Sequence, residues 1–293
     1  MDENFENDDF FAYVKKKLYL CGLIMEFDLA LHRLGSWLKH QLSARHTGGH
    51  GVHSPYLFEL VRMIMHDSNS FYAWDIIEQH RERLMADERE VVFVDYGSGA
   101  KVKGEERIQR VCDIAKKSLV QKKYAQLLAR LVNWLGQSAE GLHIVELGTS
   151  LGITTAYLAA MDSRNDVTTY EGCPAVAARA RETWEQLGLK NIACRVGKID
   201  VSQLAQEWDM IDVAFVDANH TYAGTRAYVN ILLQKMHAKS VLVVDDIHHS
   251  AEMERAWQEI CADERVTSTM DLYQMGLVFF DKHYWKRHYV MKL

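Results

Sequence analysis

Residues 142–158 read Leu-His-Ile-Val-Glu-Leu-Gly-Thr-Ser-Leu-Gly-Ile-Thr-Thr-Ala-Tyr-Leu. They predict a short buried strand ending in an acidic residue, a tight glycine turn, and the start of an apolar helix. With no side chain at Gly148 or Gly152, a ligand can lie against bare peptide groups and the helix N-terminus. The spacing Gly148-x-x-x-Gly152 is not the G-x-G-x-x-G that seats a dinucleotide pyrophosphate.

Downstream of this turn, apolar runs at 143–147, 166–170, 191–196, 211–216 and 240–244 are each followed by a helical pattern. Strands alternating with helices predict a parallel sheet with helical crossovers. Pro174 suits a first helical turn, and Gly188 suits a helix stop. The last two runs, about 266–272 and 275–280, are too close for a crossover helix and predict an antiparallel hairpin. Upstream, residues 10–44, 55–66 and 72–89 carry helical patterns, as do 105–118 and 121–136. Val91 to Val94 runs into a second glycine turn, Asp95-Tyr-Gly-Ser-Gly99. The charged Lys101-Val-Lys-Gly-Glu-Glu106 follows it, so this stretch reads as a hairpin or turn. The expected organisation is a mainly helical accessory region, 1–120, and a sheet domain, 121–293.

In open α/β sheets, ligands bind outside the C-terminal ends of the strands where strand order reverses. Four of the five predicted strand ends are acidic: Glu146, Glu171, Asp217 and the pair Asp245-Asp246. Carboxylates gathered at one rim repel one another unless a cation or hydrogen-bond donors stand between them, so such a rim marks a site. Glu171 is placed to accept both hydrogen bonds from a ribose diol, which by itself does not separate a nicotinamide cofactor from other adenosine ligands. His220, beside Asp217, suits a general base near neutral pH. His248 and His249 follow the fifth strand, where one or both can line the pocket.

With Glu146, Gly148 and Gly152 at its signature positions, the turn resembles the first motif of the class I S-adenosylmethionine-dependent methyltransferases. The resemblance implies a Rossmann-like α/β fold, with a mostly parallel seven-stranded sheet ending in an antiparallel hairpin. It implies S-adenosylmethionine as cofactor, held by Glu146, Gly148, Thr149, Ser150, Gly152 and Thr154 around the turn. Glu171 and Gly172 fall at the ribose, Gly197 and Ile199 at the adenine, and Asp217 at the rim beyond. Asp217 with Asp245 and Asp246 also resembles the small-molecule O-methyltransferases, including the catechol type, in which such acids hold Mg²⁺. Three oxygen ligands with waters suit that cation. The chain departs by carrying Asn219 and His220 where those enzymes have Asp and Lys, and Asp246 where they have Asn. Two expectations follow: Mg²⁺ on Asp217, Asp245 and Asp246, or metal-free transfer with Asp217 and His220 as the catalytic pair. The implied activity is methyl transfer to an oxygen of a small molecule. The rivals are a nucleotide-dependent (NAD-type) oxidoreductase and an S-adenosylmethionine-binding protein without catalysis.

The net charge of −6 argues against nucleic acid as a whole-protein partner. Lysines and arginines between 101 and 123 make one stretch locally basic, which reads as a solvated helix face. The acidic N-terminus lacks the positive charge of a signal peptide. The apolar run Leu18 to Leu31 contains Glu26 and Asp28 and is too short for a bilayer. Five scattered cysteines without metal spacing fit a reducing compartment, so a cytoplasmic, membrane-free protein is expected, with homo-oligomerisation open. His46, His50 and His53 share a glycine-rich loop that reads as a lid rather than a zinc site. The aromatic, basic segment 284–293 is expected to pack on the last strands.

Overall fold

A computed structural model describes residues 28–45, 51–52, 54–66, 69–96, 104–137, 139–283 and 286–293. The expected lid residues His46, His50 and His53 lie outside these. The accessory region holds helices α1 (residues 28–43), α2 (Pro55–Met65) and α3 (Tyr72–Ala86), strands β1 (Glu90–Asp95) and β2 (Glu105–Arg110), and helix α4 (Val111–Ser118). The remaining chain alternates α5 (Lys122–Gly136), β3 (His143–Leu147), α6 (Ile153–Ala159), β4 (Asp166–Glu171), α7 (Pro174–Gln186), β5 (Ile192–Val196), α8 (Val201–Glu207), β6 (Ile211–Val216), α9 (Tyr222–Leu232), β7 (Met236–Asp245) and α10 (Ala251–Ala262). It ends in β8 (Ser268–Asp271), β9 (Met275–Phe279) and β10 (Arg287–Val290).

The large sheet runs β10-β8-β9-β7-β6-β3-β4-β5. Strands β3 to β7 pair in parallel, and β9 is antiparallel to both β7 and β8. This is the predicted mostly parallel sheet with its terminal hairpin. It carries one strand more than the seven expected. Strand β10 adds parallel to β8, with Arg287 opposite Ser268, and buries Tyr289. Segment 286–293 thus packs on the last strands as expected. Strand order reverses between β3 and β6, which places the topological switch at the Gly148 turn.

Successive side chains on a strand face opposite ways, and here both faces are covered. Ile144, Val213, Phe215 and Val243 join one apolar cluster; Val145, Leu147, Ala214, Val216 and Val244 join the other. The first cluster also takes in Leu57, Leu60 and Ile64 of α2, Trp74 and Ile77 of α3, and Leu127, Leu128 and Leu131 of α5. The accessory helices therefore share a core with the sheet. Strands β1 and β2 form a separate antiparallel hairpin, with Val91 opposite Gln109; residues 105–110, expected to be helical with 111–118, are instead strand β2, held by pairing along β1. Helix α1 is held by polar contacts: Ser36 donates to Glu254, and His40 pairs with Asp271 at 3.3 Å. Its Leu31, Leu34, Trp37, Leu38 and Leu42 are exposed. Among the described residues, no helix is long and apolar enough to cross a membrane.

Candidate active site

Both glycines of the turn adopt left-handed backbone, φ 104° at Gly148 and 79° at Gly152, but neighbouring protein uses the space they leave. A Cβ on Gly148 would stand 2.2 Å from the Asp217 carbonyl oxygen, so the missing side chain lets the loops after β3 and β6 meet. A Cβ on Gly152 would stand 2.6 Å from Trp184 Nε1, which donates to the Gly152 carbonyl at 2.8 Å. Glu146 is fully buried, accepting hydrogen bonds from Thr155 (2.5 Å) and Thr169 (2.6 Å). Burial pushes its pKa up to about 8, against those two donors. Thr149 shares a 2.6 Å hydrogen bond with Thr169, and Thr154 is buried on α6. Glu146, Thr149, Gly152 and Thr154 were expected to contact the ligand. They do not line the cavity at the strand ends but are buried behind the turn, where α6 packs on α7 and β4.

A cavity of about 1120 Å³ opens at the C-terminal ends of the strands, over the switch point. Of the residues singled out in the sequence, Gly148, Ser150, Glu171, Gly172, Ile199, Asp217, His220, Asp245 and Asp246 line it. Gly197 does not: at φ 122° its N–H donates to the Glu171 carbonyl at 2.8 Å and turns the chain toward Ile199. The Glu171 carboxylate accepts the Ser150 N–H at 2.8 Å on one oxygen and the Cys173 N–H at 2.9 Å on the other. It is thereby held in place with lone pairs still free for hydroxyl donors. Burial raises its pKa to about 7, against those backbone N–H groups. Ser118, at the end of α4, meets Ser150 at 2.6 Å, so the accessory region touches the turn itself.

On the opposite wall, the chain leaves β6 through Asp217 and makes two left-handed residues, Asn219 (φ 70°) and His220 (φ 27°), before Thr221 caps α9. Asn219 bonds Tyr228 and occupies the space that Gly224 leaves open. His220 Nε2 lies 3.3 Å from Asp217, and its Nδ1 lies 3.8 Å from Asp246. Burial opposes a charge on this ring, but the hydrogen bond and charge of Asp217, with the charge of Asp246, raise its pKa overall. Strand β7 ends at Asp245, and Asp246 (φ 56°) is left-handed. That turn is what lets two adjacent aspartates line one cavity. Burial and the neighbouring Asp217 and Asp246 charges push the Asp245 pKa well up. Burial also acts to raise Asp246, yet His249, His220 and Arg33 hold it below the usual range. His249 Nδ1 lies 3.4 Å from Asp246, and its ring stacks on His220 with centroids 6.0 Å apart.

Residues 145–247 match the family model described as a methyltransferase domain. That stretch, about a third of the chain, carries the motif turn, Glu171, Asp217 and the Asp245-Asp246 pair. A 57-residue stretch, 20% of the chain, is 46% identical to a protein-L-isoaspartate O-methyltransferase of Magnetococcus marinus. That match spans 24% of the relative's length. In fold, the chain is similar to the Bacillus cereus O-methyltransferase in complex with S-adenosylhomocysteine. The TM-score is 0.51 at 18% identity, over 76% of this chain and 97% of that one. It is also similar to a Podospora anserina methyltransferase bound to S-adenosylhomocysteine, with TM-score 0.52 at 12% identity, over 78% and 96% of the two chains.

The expected Mg²⁺ site does not assemble among the described residues. Among the described residues, no three His, Cys, Asp or Glu side chains come together as a metal ligand set. The space between Asp217 and Asp246 holds the His220 imidazole, and Asp246 Oδ1 accepts the Gln274 side-chain amide at 2.7 Å. His220 stands where the cation would lie, its pKa raised by Asp217 and Asp246, so these acids are already partnered and do not fit the cation. Both His248 and His249 line the cavity. Sequence reading missed Arg33, Tyr96, Ser118, Tyr273 and Gln274. Arg33 arrives from α1 and donates to the His249 carbonyl at 3.2 Å. Only Tyr96 had a signal, the aromatic residue in the second glycine turn. The others reach the site through long-range packing.

Proposed function

We propose that the protein transfers a methyl group from S-adenosylmethionine to an oxygen of a small molecule, without a metal. The supporting observation is one cavity with a diol-accepting carboxylate, Glu171, on one wall and a paired histidine, His220, on the other. Glu171 would hold the ribose, while Gly148, Ser150 and Gly172 frame the remainder of the cofactor and Ile199 its adenine. The sulfonium of S-adenosylmethionine supplies an activated methyl group. What the chain must add is alignment and a proton acceptor, and alignment alone contributes about 7–11 kcal/mol in favourable cases. His220, once neutral, takes the acceptor hydroxyl proton on a ring nitrogen, and Asp217 orients the ring and balances its charge. Asp246 and His249 hold the ring from the other side. The volume, about 1120 Å³, exceeds the ~300–1,000 Å³ of typical small-molecule sites, which leaves space for an acceptor beside the cofactor. The similarly folded O-methyltransferase and methyltransferase, each bound to S-adenosylhomocysteine, support the cofactor class.

Calorimetric titration with S-adenosylhomocysteine tests the cofactor, and a hydroxylated-acceptor screen with labelled S-adenosylmethionine tests transfer. One-site binding is expected, tightening from pH 6 to pH 8 as Glu171 ionises through about pH 7. Glu171→Gln is expected to weaken binding and to flatten that pH dependence. His220→Ala is expected to bind normally and to lose roughly 10²–10⁴-fold in transfer. Absence of binding at millimolar ligand in folded protein would remove the proposal. Transfer retained by His220→Ala would remove the base.

A further inference from the structure

Strand β1 ends beside the loop that follows β4. The Val94 N–H donates to Cys173 Sγ at 3.3 Å, and the Cys173 thiol donates to the Val92 carbonyl at 3.5 Å. The β1–β2 hairpin is thus fastened to the residue that caps α7, two positions after Glu171. Two residues beyond Val94, the Tyr96 ring lies on Gly172. A Cβ at Gly172 would stand 2.7 Å from Tyr96 Cδ2 and 3.4 Å from Cε2. Gly104, where the hairpin returns, backs the same ring, and a Cβ there would stand 3.4 Å from Cε1. The ring is therefore held between two glycines, on the peptide next to the diol-accepting carboxylate. It lines the cavity together with Val176 and Ile199. The hairpin's other cavity ring, Phe93, is covered by the Arg107 guanidinium at 5.2 Å, which itself pairs with Asp95 at 2.7 Å. Tyr96 lines the cavity without such a guanidinium cover among the described contacts.

We infer that Tyr96 is a cofactor-binding residue, its ring forming the roof over the adenosine end of the ligand; this rests on the cofactor proposed above. A ribose gripped through its hydroxyls at Glu171 leaves the attached base with two apolar π-faces to cover. Aromatic contact is the interaction that such faces favour. The hairpin lies outside the stretch matched by the methyltransferase family, so this chain supplies the roof from its own accessory region. Gly172 is then required for two reasons at once, proximity to the ribose and room for the ring.

The test is calorimetry with two probes, S-adenosylhomocysteine and 5′-deoxy-5′-methylthioadenosine, which lacks the amino-acid end. Tyr96→Ala is expected to weaken both by a similar factor, about tenfold. Tyr96→Phe keeps the ring and is expected to bind like the wild type. Gly172→Ala is expected to weaken binding in the wild type, and by less once Tyr96 is alanine, because the displaced ring is then gone. Ile108→Ala, on the exposed face of the same hairpin, is expected to leave affinity unchanged. Thermal unfolding of each ligand-free variant shows whether the fold persists. Wild-type binding with unchanged affinity in Tyr96→Ala would overturn the inference and leave the cofactor proposal standing. A loss confined to S-adenosylhomocysteine would also overturn it, by moving Tyr96 to the amino-acid end. No binding by the wild type would remove both.

Discussion

Gly152→Ala separates two roles for the second glycine of the turn. If Gly152 exists to let a ligand approach, alanine removes affinity and leaves the fold intact. The structure assigns it to packing instead. The new Cβ would stand 2.6 Å from Trp184 Nε1, 2.8 Å from its Cε2 and 2.9 Å from Ala180 Cβ. Real Cβ atoms do not approach that closely, and Trp184 is buried, so relief requires moving α7 or expelling the indole. A left-handed backbone costs a non-glycine residue about 1–2 kcal/mol. Overpacking adds about 1–3 kcal/mol. Loss of the 2.8 Å hydrogen bond from Trp184 to the Gly152 carbonyl adds about 0.5–1.5 kcal/mol. Together these predict destabilisation of about 3–6 kcal/mol, a large part of the ~5–15 kcal/mol that holds a typical protein folded. Urea unfolding of ligand-free protein, followed by far-ultraviolet circular dichroism, measures this as a midpoint lowered by about 1 M or more. In the double variant Gly152→Ala/Trp184→Ala the two indole contacts disappear and only the 2.9 Å approach to Ala180 Cβ is left, so the cost of the glycine change is expected to shrink. Stability within about 1 kcal/mol of wild type, with S-adenosylhomocysteine binding abolished, would refute the packing argument.

Burial raises the Glu146 carboxyl from 4.5 to about 8, so the folded state keeps a proton that the unfolded chain releases above pH 4.5. Stability is therefore expected to fall as pH rises from about 5 to 8, by up to about 1.4 kcal/mol per pH unit from this group. Glu146→Gln should lose that slope and gain on the wild type between pH 5 and pH 8 in urea unfolding; parallel pH profiles would contradict it. Because an imidazole stands between Asp217 and Asp246, EDTA is expected to leave both cofactor binding and methyl transfer unchanged. Activity lost to EDTA and restored by Mg²⁺ would reverse that assignment. Methyl transfer is expected to rise with pH through the raised His220 pKa, as the ring loses the proton that blocks its role as a base. A flat profile measured at saturating cofactor would exclude it.

The strands were legible because burial leaves a one-dimensional trace. A run such as Val213 to Val216, apolar on both faces, can satisfy a parallel sheet and little else. The acid-tipped ends of β4, β6 and β7 were legible for the opposite reason, since carboxylates beside apolar runs have no folding role. Strand β10 was not read as a strand: it is four residues long, half of it is charged or polar, and it is ordered by pairing along β8. The same limit applied to the turn. Its shape was visible in the spacing of Gly148 and Gly152, but what occupies the space beside Gly152 is an indole 32 residues away in the chain.

The sequence by itself determined the class of fold, the rim where ligands bind, and the acids and histidines that stand there, because each depends on local periodicity and residue chemistry. Only the tertiary structure decided which of those residues face the cavity. It turned Asp246 inward through a left-handed backbone, set His220 where a cation was expected, and withdrew Glu146 and Gly152 into the support of the turn. It also brought Tyr96 and Arg33 to the rim from the accessory region. These are contacts between residues far apart in the chain. They are set by the packing of helices and a hairpin on the sheet, which leaves no periodic mark in any one segment.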